Sequence, residues 1–391
     1  MTMNVNTILK IFITVFVILN FKKIIDFLSI KIANYEGFSQ EVSEEDNKNI
    51  DKKKLRILNP ALDIDNKVIK SYPNKIFISI ASYRDNECST TINSIYENAK
   101  RPENINIGIC QQNDNQDPDC LMNKELYNKY KKQIRIVRIP HTDARGPTYA
   151  RYICSHLWNG EEYFLQIDSH MKFFKDWDEK IINNYKNIGD DKAIISSYPL
   201  SHEQEKNQEE LGVPHMCNSK LNGDNVPMFY SEFRKPTEKP TVAPYTAAGL
   251  FFTKGKSVLE VPYDPYLPHL FQGEEFLHSA RLWTHGWNFY MPQVNICSHH
   301  YGRNDKPKSW NDHREWKKYE LMAIERLKYI LGLIKESDVT DKDYLIATDK
   351  YGLGKERTIK EYFEFSGVDF DNKTTNKICG KTYNKNKNIW E

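Results

Sequence analysis

The sequence predicts an α/β protein with a mostly parallel central sheet that is flanked by helices. From residue 73 onward, short apolar runs typical of buried strands alternate with segments whose apolar residues recur at helical spacing. Strands that are joined by helices pair in parallel, because the connection must cross back over the sheet. Polar residues directly follow several of these runs. They therefore meet at one edge of the sheet, where α/β proteins bind ligands.

The individual elements are predicted from apolar spacing. The runs expected to form strands lie at residues 76–81, 105–110, 134–139, 163–167, 193–198 and 290–296. A helix is expected over residues 88–98, with Asp85 placed to cap it. A second helix is expected over residues 148–157, and a third begins at the paired glutamates Glu274 and Glu275.

Composition divides the chain into segments. These are an apolar N-terminal segment and candidate membrane anchor at 1–32, a polar linker at 33–72, the α/β domain at 73–305 and a helical C-terminal extension at 306–391. Within residues 8–32 the uninterrupted apolar stretch is shorter than the roughly 20 residues that a spanning helix needs. We expect an uncleaved, membrane-associated helix there, and a helix packed on the domain is the alternative. Membrane association is favoured, with a cytoplasmic location as the alternative.

Charge and motif content exclude several classes of protein. The net charge is only +2, from 55 basic and 53 acidic residues, so no nucleic-acid-binding face is expected. No Gly-x-Gly-x-x-Gly follows the first strand and no Gly-Lys-Ser/Thr loop occurs, which argues against dehydrogenases and P-loop NTPases. The seven cysteines form no Cys-x-x-Cys pair. Their odd number argues against a full disulfide framework and favours a reducing compartment.

A candidate metal site follows the predicted strand at residues 163–167, in the tripeptide Asp168-Ser169-His170. Residues two apart on an extended chain share a face, so both side chains can hold one divalent ion, Mn²⁺ or Mg²⁺. The alternative is a turn in which Asp168 caps the next segment. His299 and His300 follow another predicted strand and supply a candidate third ligand.

Other candidate site residues lie at strand ends and helix starts. Those expected at the carboxyl ends of strands are Ser82, Arg84, Asp85 and Asp114. Arg151 lies in the first turns of a predicted helix, where backbone N–H groups and a guanidinium suit a diphosphate; a surface arginine is the alternative. Glu274 and Glu275 are candidate catalytic carboxylates, or ordinary partners of a helix dipole.

Several segments resemble a known enzyme family. The Asp-Ser-His tripeptide, the Gly-Glu-Glu segment at 273–275 and the His-x-x-Arg segment at 300–303 resemble motifs of retaining GT-A glycosyltransferases of the polypeptide N-acetylhexosaminyltransferase kind. A closer resemblance is to the α-N-acetylglucosaminyltransferases that modify hydroxyproline on the adaptor subunit of cytoplasmic ubiquitin ligases. The segments that carry it lie at residues 80–85, 145–147, 271–275, 283–287, 351–354 and 365–369. The resemblance covers residues 73–370.

The resemblance implies a GT-A, Rossmann-like fold and a role for each candidate residue. The metal ligands would be Asp168, His170 and His300. His300 fits the His-x-x-Arg pattern better than His299 does. The donor would be contacted by Arg84 and Asp114 at the uridine, by Arg151 at the diphosphate, and by Ser82. The carboxylate beside the sugar and acceptor would be Glu275, with Glu274 as the second choice.

The implied activity is retaining transfer of N-acetylglucosamine, or a related hexose, from a UDP-sugar to a hydroxyl of a protein or peptide acceptor. Charge that builds on the β-phosphate would be stabilised by the divalent metal and an arginine. Retention is compatible with same-face attack and with a carboxylate nucleophile. Two other classes stay open: a catalytically inactive GT-A domain that binds a glycan or protein partner, and a metal-dependent nucleotide-sugar hydrolase.

Overall fold

The computed structural model describes residues 71–384, 387 and 389–391 of the chain. The predicted membrane-associated helix within residues 8–32 and nearly all of the predicted linker lie outside the described residues, and both stay predictions. Among the residues that are described, no helix has the length and apolar character needed to cross a membrane.

The elements of the described part follow in chain order. The strands are β1 (Tyr72–Tyr83), β2 (Ile105–Asn113), β3 (Ile134–Pro140), β4 (Glu161–Asp168), β5 (Met171–Phe173), β6 (Ala193–Ser196), β7 (Leu200–Ser201), β8 (Val213–Leu221), β9 (Pro227–Arg234), β10 (Leu250–Lys254), β11 (Asn288–Tyr290), β12 (Cys297–His299), β13 (Val368–Asp369), β14 (Thr374–Thr375), β15 (Tyr383–Asn384) and β16 (Ile389–Trp390). The α-helices are α1 (Cys88–Asn98), α2 (Lys124–Tyr130), α3 (Pro147–Ser155), α4 (Trp177–Ile188), α5 (Gln208–Leu211), α6 (Ser257–Glu260), α7 (Glu274–Thr284), α8 (Ser309–Asp312), α9 (Trp316–Ile330), α10 (Thr348–Tyr351) and α11 (Ile359–Ser366).

Seven strands form the central sheet, in the spatial order β11-β6-β10-β4-β1-β2-β3. Strand β1 pairs in parallel with β2 and β4, β2 with β3, and β6 with β11. Strand β10 is antiparallel to both β4 and β6. The chain leaves the sheet at the carboxyl end of β6 and re-enters it at the same end as β10, where Ser197 N–H donates to Leu250 O. The predicted α/β class with a mostly parallel sheet flanked by helices is confirmed.

Apolar cores cover both faces of this sheet. Ile76, Ile78 and Ile80 of β1 pack on one face with α1 and α4, while Phe77 points to the opposite face. Helices α7, α9 and α11 cover that second face and share one apolar core with it. The helical segment after residue 305 therefore packs as part of the same body, and four short strands accompany its helices.

Two predicted local features are wrong. The helix expected over residues 88–98 forms, but Asp85 does not cap it: Glu87 occupies the N-cap, and Asp85 turns towards the ligand edge of the sheet. The strand expected over residues 290–296 does not form: β11 of the central sheet ends at Tyr290, residues 291–296 lie in no strand, and β12, which joins β5 and β7 in a small second sheet, begins at Cys297. Pro292 lies between them and has no N–H to donate to a continuous ladder.

The odd number of cysteines argued against a full disulfide framework, and the structure contains a partial one of two disulfides. Cys88 pairs with Cys120, and Cys217 pairs with Cys379 across 162 residues of sequence. The remaining thiols, all buried, are Cys110, Cys154 and Cys297. Spacing along the chain gave no sign of these pairs, because the fold, and not local sequence, brings each pair together.

We expect alkylation to distinguish the two groups of cysteines. Protein made under oxidising conditions, then denatured without reduction, should be labelled only at Cys110, Cys154 and Cys297. Reduction before labelling should add the four paired cysteines. Peptide mass mapping makes the measurement. Labelling of Cys217 or Cys379 without reduction would show that their bond does not form.

A buried ion pair joins the C-terminal segment to the domain. Arg326 of α9 donates to Asp264 at 2.8 Å, and both side chains are fully buried. Arg326 also donates to the carbonyl oxygens of Tyr344 and Ile346. The pair therefore fixes α9 to two loops at once.

Asp264→Ala should be strongly destabilising, because it leaves the Arg326 guanidinium buried without its counter-charge. The expected loss in the free energy of unfolding is about 3–5 kcal/mol. Urea denaturation followed by circular dichroism measures it. The matched control is Glu336→Ala, which removes one member of an exposed pair with Lys342 and should change stability by less than about 1 kcal/mol. Equal losses in the two variants would contradict a stabilising role for the buried pair.

Candidate active site

A cleft of about 600 Å³ opens at the carboxyl ends of the central strands. The ends of β1 and β4 form its floor, since Ala81 pairs with Asp168 at the last position of their register. The start of α7 and the segment after β12 form its walls, together with residues 307–310 of the C-terminal segment. The volume lies within the roughly 300–1,000 Å³ typical of ligand pockets.

Three potential metal ligands meet at the floor of this cleft. Ligand atoms of Asp168, His170 and His299 all lie within 4.8 Å of one another. Asp168 ends β4, and His170 follows two residues later, as the tripeptide predicted. Strand β12 pairs with β5 so that His299 faces Met171, which carries its imidazole to the same place.

The structure places His299, and not His300, in this cluster. Nε2 of His299 lies 3.2 Å from Oδ2 of Asp168. Nδ1 of His300, which also lines the cleft, lies 2.9 Å from Oε1 of Glu87. Neighbouring residues of an extended chain point in opposite directions, so only one of the two histidines can face Asp168. The structure therefore brings His299, and not His300, together with Asp168 and His170, and which of the two histidines binds the ion stays a prediction.

The charges around Asp168 favour its carboxylate form. Partial burial alone would raise the pKa of this carboxyl. The hydrogen bond from His299 and the nearby charges of His170 and Arg151 outweigh burial and hold the pKa well below its usual range. Asp168 is therefore ionised at any physiological pH and available as an anionic ligand.

Arg151 and Glu274 form a fixed pair beside the cluster. Nη1 of Arg151 lies 2.6 Å from Oε1 of Glu274, and Nη2 lies 3.7 Å from Oδ1 of Asp168. Thr148 donates its hydroxyl to the second carboxylate oxygen of Glu274 at 2.7 Å. Both oxygens of Glu274 are thus engaged in holding the start of α3, and the residue positions Arg151 next to the ligand cluster.

Glu275 has a different environment from its neighbour. It accepts hydrogen bonds from the Tyr198 hydroxyl at 2.5 Å and from the Ala248 N–H at 2.7 Å. Burial raises its pKa to about 7, against the lowering effect of these two donors. Glu275 lines the cleft, so its carboxyl group can reach a bound ligand.

The start of α7 depends on a glycine. Gly273 has a φ of +95°, a region that side chains other than glycine rarely adopt. A Cβ there would lie 2.3 Å from Cγ1 of Val226. Gly273 thus lets the backbone pack closely against β9 and its turn, which orients both glutamates that follow.

The residues predicted to contact the donor fall into two groups. Arg151 lines the cleft. Ser82 does not: it is fully buried and its hydroxyl faces Cys120, and its donor contact stays a prediction. Arg84 is held by Asp117 at 2.8 Å and by Asp312 at 3.0 Å, and Asp114 lies 3.7 Å from His141. Neither Arg84 nor Asp114 lines the cleft in this structure, and their contacts with uridine stay predictions.

Several cleft residues were not found from the sequence. Tyr198, Arg303 and Trp310 line it, and Tyr83 does so while its hydroxyl donates to Asp312 of α8. Their positions depend on contacts between distant segments. The available signal was weak: Tyr83 lies within the segment at residues 80–85, and Arg303 is the arginine of the His-x-x-Arg segment at 300–303.

The fold and this cleft define an α/β protein with an ionised carboxylate, two imidazoles and an arginine at its strand ends. The chain belongs to the family described as "Glycosyltransferase (GlcNAc)", whose sequence model matches residues 75–131 and 122–372. It is therefore a glycosyltransferase domain. Comparison with curated protein sequences finds no match.

Solved structures that match this chain do so at low sequence identity. GalNAc-T7, crystallised with UDP, GalNAc and Mn²⁺, is 15% identical with a TM-score of 0.49, over 74% of this chain and 56% of that chain. TarS 1–349 of S. aureus in complex with UDP-GlcNAc is 10% identical with a TM-score of 0.40, over 71% of this chain and 73% of that chain. The chain thus spans little more than half the length of the GalNAc-T7 chain. These similarities assign no residue role or substrate to it.

Proposed function

We propose that this chain transfers N-acetylglucosamine, or a related hexose, from a UDP-sugar to a hydroxyl of a protein acceptor, with retention of configuration. The observation that carries the proposal is the cluster of Asp168, His170 and His299 beside Arg151 at the strand ends. A metal ion held by this cluster and the Arg151 guanidinium could together bind a diphosphate. Membership of the glycosyltransferase family supports glycosyl transfer as the reaction.

The cluster fits a divalent first-row metal ion. Ligands that lie about 2.0–2.2 Å from one ion are within roughly 4.4 Å of each other, close to the spacing found here. Two imidazoles and one carboxylate favour Mn²⁺ over Mg²⁺, which prefers oxygen ligands. When bound, the ion would neutralise negative charge on the diphosphate.

Arg151 is the protein's own cation for the leaving diphosphate. Its guanidinium is fixed by Glu274 and lies between that carboxylate and the metal cluster. A preorganised cation stabilises charge that develops in the transition state without reorganising first. The negative charge on the β-phosphate grows as the sugar departs, so this contact strengthens during the reaction.

Glu275 is the carboxylate for the sugar side of the cleft. Donors from Tyr198 and Ala248 hold both of its oxygens in place, which favours a fixed electrostatic role over nucleophilic attack. In this role it stabilises positive charge on the sugar ring or accepts a hydrogen bond from a sugar hydroxyl. Same-face attack, in which the leaving phosphate accepts the acceptor's proton, is then the route to retention.

The outer part of the cleft suits a polypeptide acceptor. Phe271 and Trp310 form an edge-to-face pair 5.5 Å apart, and Tyr230 lines the same opening. All three rings are substantially exposed. Aromatic surface of this kind binds the mixed apolar and polar face of a peptide. The resemblance to hydroxyproline-modifying enzymes supports a hydroxyl-bearing peptide as the acceptor.

We also propose a membrane-associated, oxidising location. The support is the apolar composition of residues 8–32 and the two disulfides of the folded domain, since disulfides persist in oxidising compartments. Protease protection of the domain in intact vesicles from producing cells tests this location. Full digestion without detergent would contradict it.

The test of function is UDP release from a panel of UDP-sugars with Mn²⁺, with and without hydroxyl-bearing peptides. A transferase releases UDP in proportion to acceptor and adds one sugar to the peptide mass. UDP release that is independent of acceptor would indicate a hydrolase. UDP binding without release would indicate an inactive binding domain. Chelation followed by re-addition of Mn²⁺ is the control for the metal.

A further inference from the structure

We propose that Asp85 is a positioning residue that sets the ring orientation and tautomer of the metal ligand His170. The inference rests on the proposed metal function of the cluster. Asp85 follows β1, and only 2% of its surface is exposed. Its Oδ2 atom lies 2.8 Å from Nδ1 of His170, which follows the neighbouring strand β4.

The Asp85 carboxylate gathers several donors at once. Ser169 donates its hydroxyl to Oδ2 at 2.5 Å, and the backbone N–H of Glu87 donates to Oδ1 at 2.8 Å. Nη2 of Arg303 lies 2.8 Å from Oδ1. One buried carboxylate thus joins the end of β1, the turn after β4 and the segment after β12.

Two neighbours of Nδ1 decide which nitrogen of His170 carries the proton. An ionised carboxylate only accepts hydrogen bonds, so the contact with Asp85 at 2.8 Å favours hydrogen on Nδ1. Nη1 of Arg303 lies 2.7 Å from the same Nδ1 and can only donate, so it competes with Asp85 for this atom; the proposal is that Asp85 prevails. With hydrogen on Nδ1, the lone pair of His170 is on Nε2, which is then the atom free to bind a metal ion.

Asp85→Asn tests the inference, because an amide of the same size can offer an N–H to Nδ1 and favour the wrong tautomer. We expect the Kd for Mn²⁺ to rise about 10–100-fold, the usual effect of losing such a partner. Mn²⁺ binding to the full chain, without donor, is measured by titration calorimetry or electron paramagnetic resonance. In a His170→Ala background the same change should add no further loss.

The matched control is Asp178→Asn. Asp178 is a similarly buried carboxylate that accepts the backbone N–H groups of Lys100 and Arg101, away from the cleft. It should lower stability without changing the Kd for Mn²⁺. A folded Asp85→Asn variant with wild-type Mn²⁺ affinity would overturn the inference while leaving the proposed metal site intact. A wild-type protein that binds no Mn²⁺ would overturn both.

A second measurement needs no folded variant of Asp85. Long-range ¹H–¹⁵N NMR of the unsubstituted protein reads the tautomer of each histidine, and the His170 signals are those lost in His170→Gln. Hydrogen on Nδ1 is the expected result. Hydrogen on Nε2 of the neutral ring would overturn the proposal.

Discussion

We expect Asp168→Ala to abolish the proposed Mn²⁺-dependent glycosyl transfer while leaving the domain folded. Asp168 supplies the only carboxylate of the three-residue cluster, and the charges around it keep it ionised. Its loss removes a ligand that contacts the ion directly. Mn²⁺ affinity should therefore fall by at least about 100-fold, which is the upper end of the loss seen when a residue that only hydrogen-bonds to a metal ligand is removed. Mn²⁺ titration, acceptor-dependent UDP release and circular dichroism make the measurements. Near wild-type activity with Mn²⁺ would show that the metal lies elsewhere.

The two neighbouring histidines provide the internal control for this prediction. His299→Ala should weaken Mn²⁺ binding much more than His300→Ala, because Nε2 of His299 lies 3.2 Å from Asp168 and His300 faces Glu87. The two changes remove the same side chain from adjacent positions of one segment. A larger effect at His300 would restore the ligand set that its motif suggested.

The sequence predicted the elements whose signal is local. Mostly apolar runs marked five strands of the central sheet, because strands buried on both faces are rich in apolar residues; the edge strand β3 was found despite Arg135 and Arg138. The Asp-x-His spacing placed Asp168 and His170 together, because both follow directly from one strand end. The paired glutamates begin α7 as expected. In each case the residues that decide the structure are neighbours in the chain.

The features that the sequence missed depend on contacts between distant segments. Which of His299 and His300 faces the cluster is set by the pairing of β12 with β5, more than 120 residues earlier. The partner of Cys217 lies 162 residues away. Ser82 is buried, and its hydroxyl lies 3.5 Å from Sγ of Cys120, 38 residues away in the chain. No local pattern encodes these pairings, so a single sequence leaves them open.

Glu274 and Glu275 illustrate the same limit within one dipeptide. The sequence offers two equal carboxylates at the start of a helix. The structure gives Glu274 a cation, Arg151, and gives Glu275 a hydroxyl and one backbone N–H. Glu274 therefore has a counter-charge, whereas burial raises the pKa of Glu275 to about 7. This difference assigns Glu274 to positioning and Glu275 to the sugar side of the cleft.

Glu275→Gln should lower kcat by about 10²–10³-fold with little change in UDP affinity. The substitution keeps size and hydrogen-bonding capacity but removes a charge that acts mainly when the sugar becomes positive, so the loss falls on the transition state. Steady-state kinetics and UDP binding by calorimetry measure the two quantities. The matched control is Glu274→Gln, which removes the counter-charge of Arg151 and should weaken UDP binding. Loss of UDP affinity with normal turnover in Glu275→Gln would mark that residue as a donor-binding group.

The pH dependence of stability provides a second, independent measure of Glu275. Its pKa is raised in the folded protein from an ordinary value of 4.5 to about 7. Between these values the folded state holds the proton that the unfolded chain has lost, so stability falls as pH rises. The contribution is fully present below pH 4.5 and lost above about pH 7. Glu275→Gln lacks this titration, so its free energy of unfolding relative to wild type should rise across that window. Urea denaturation at pH 5, 6, 7 and 8 measures the difference, and a constant difference would show that Glu275 is ionised throughout.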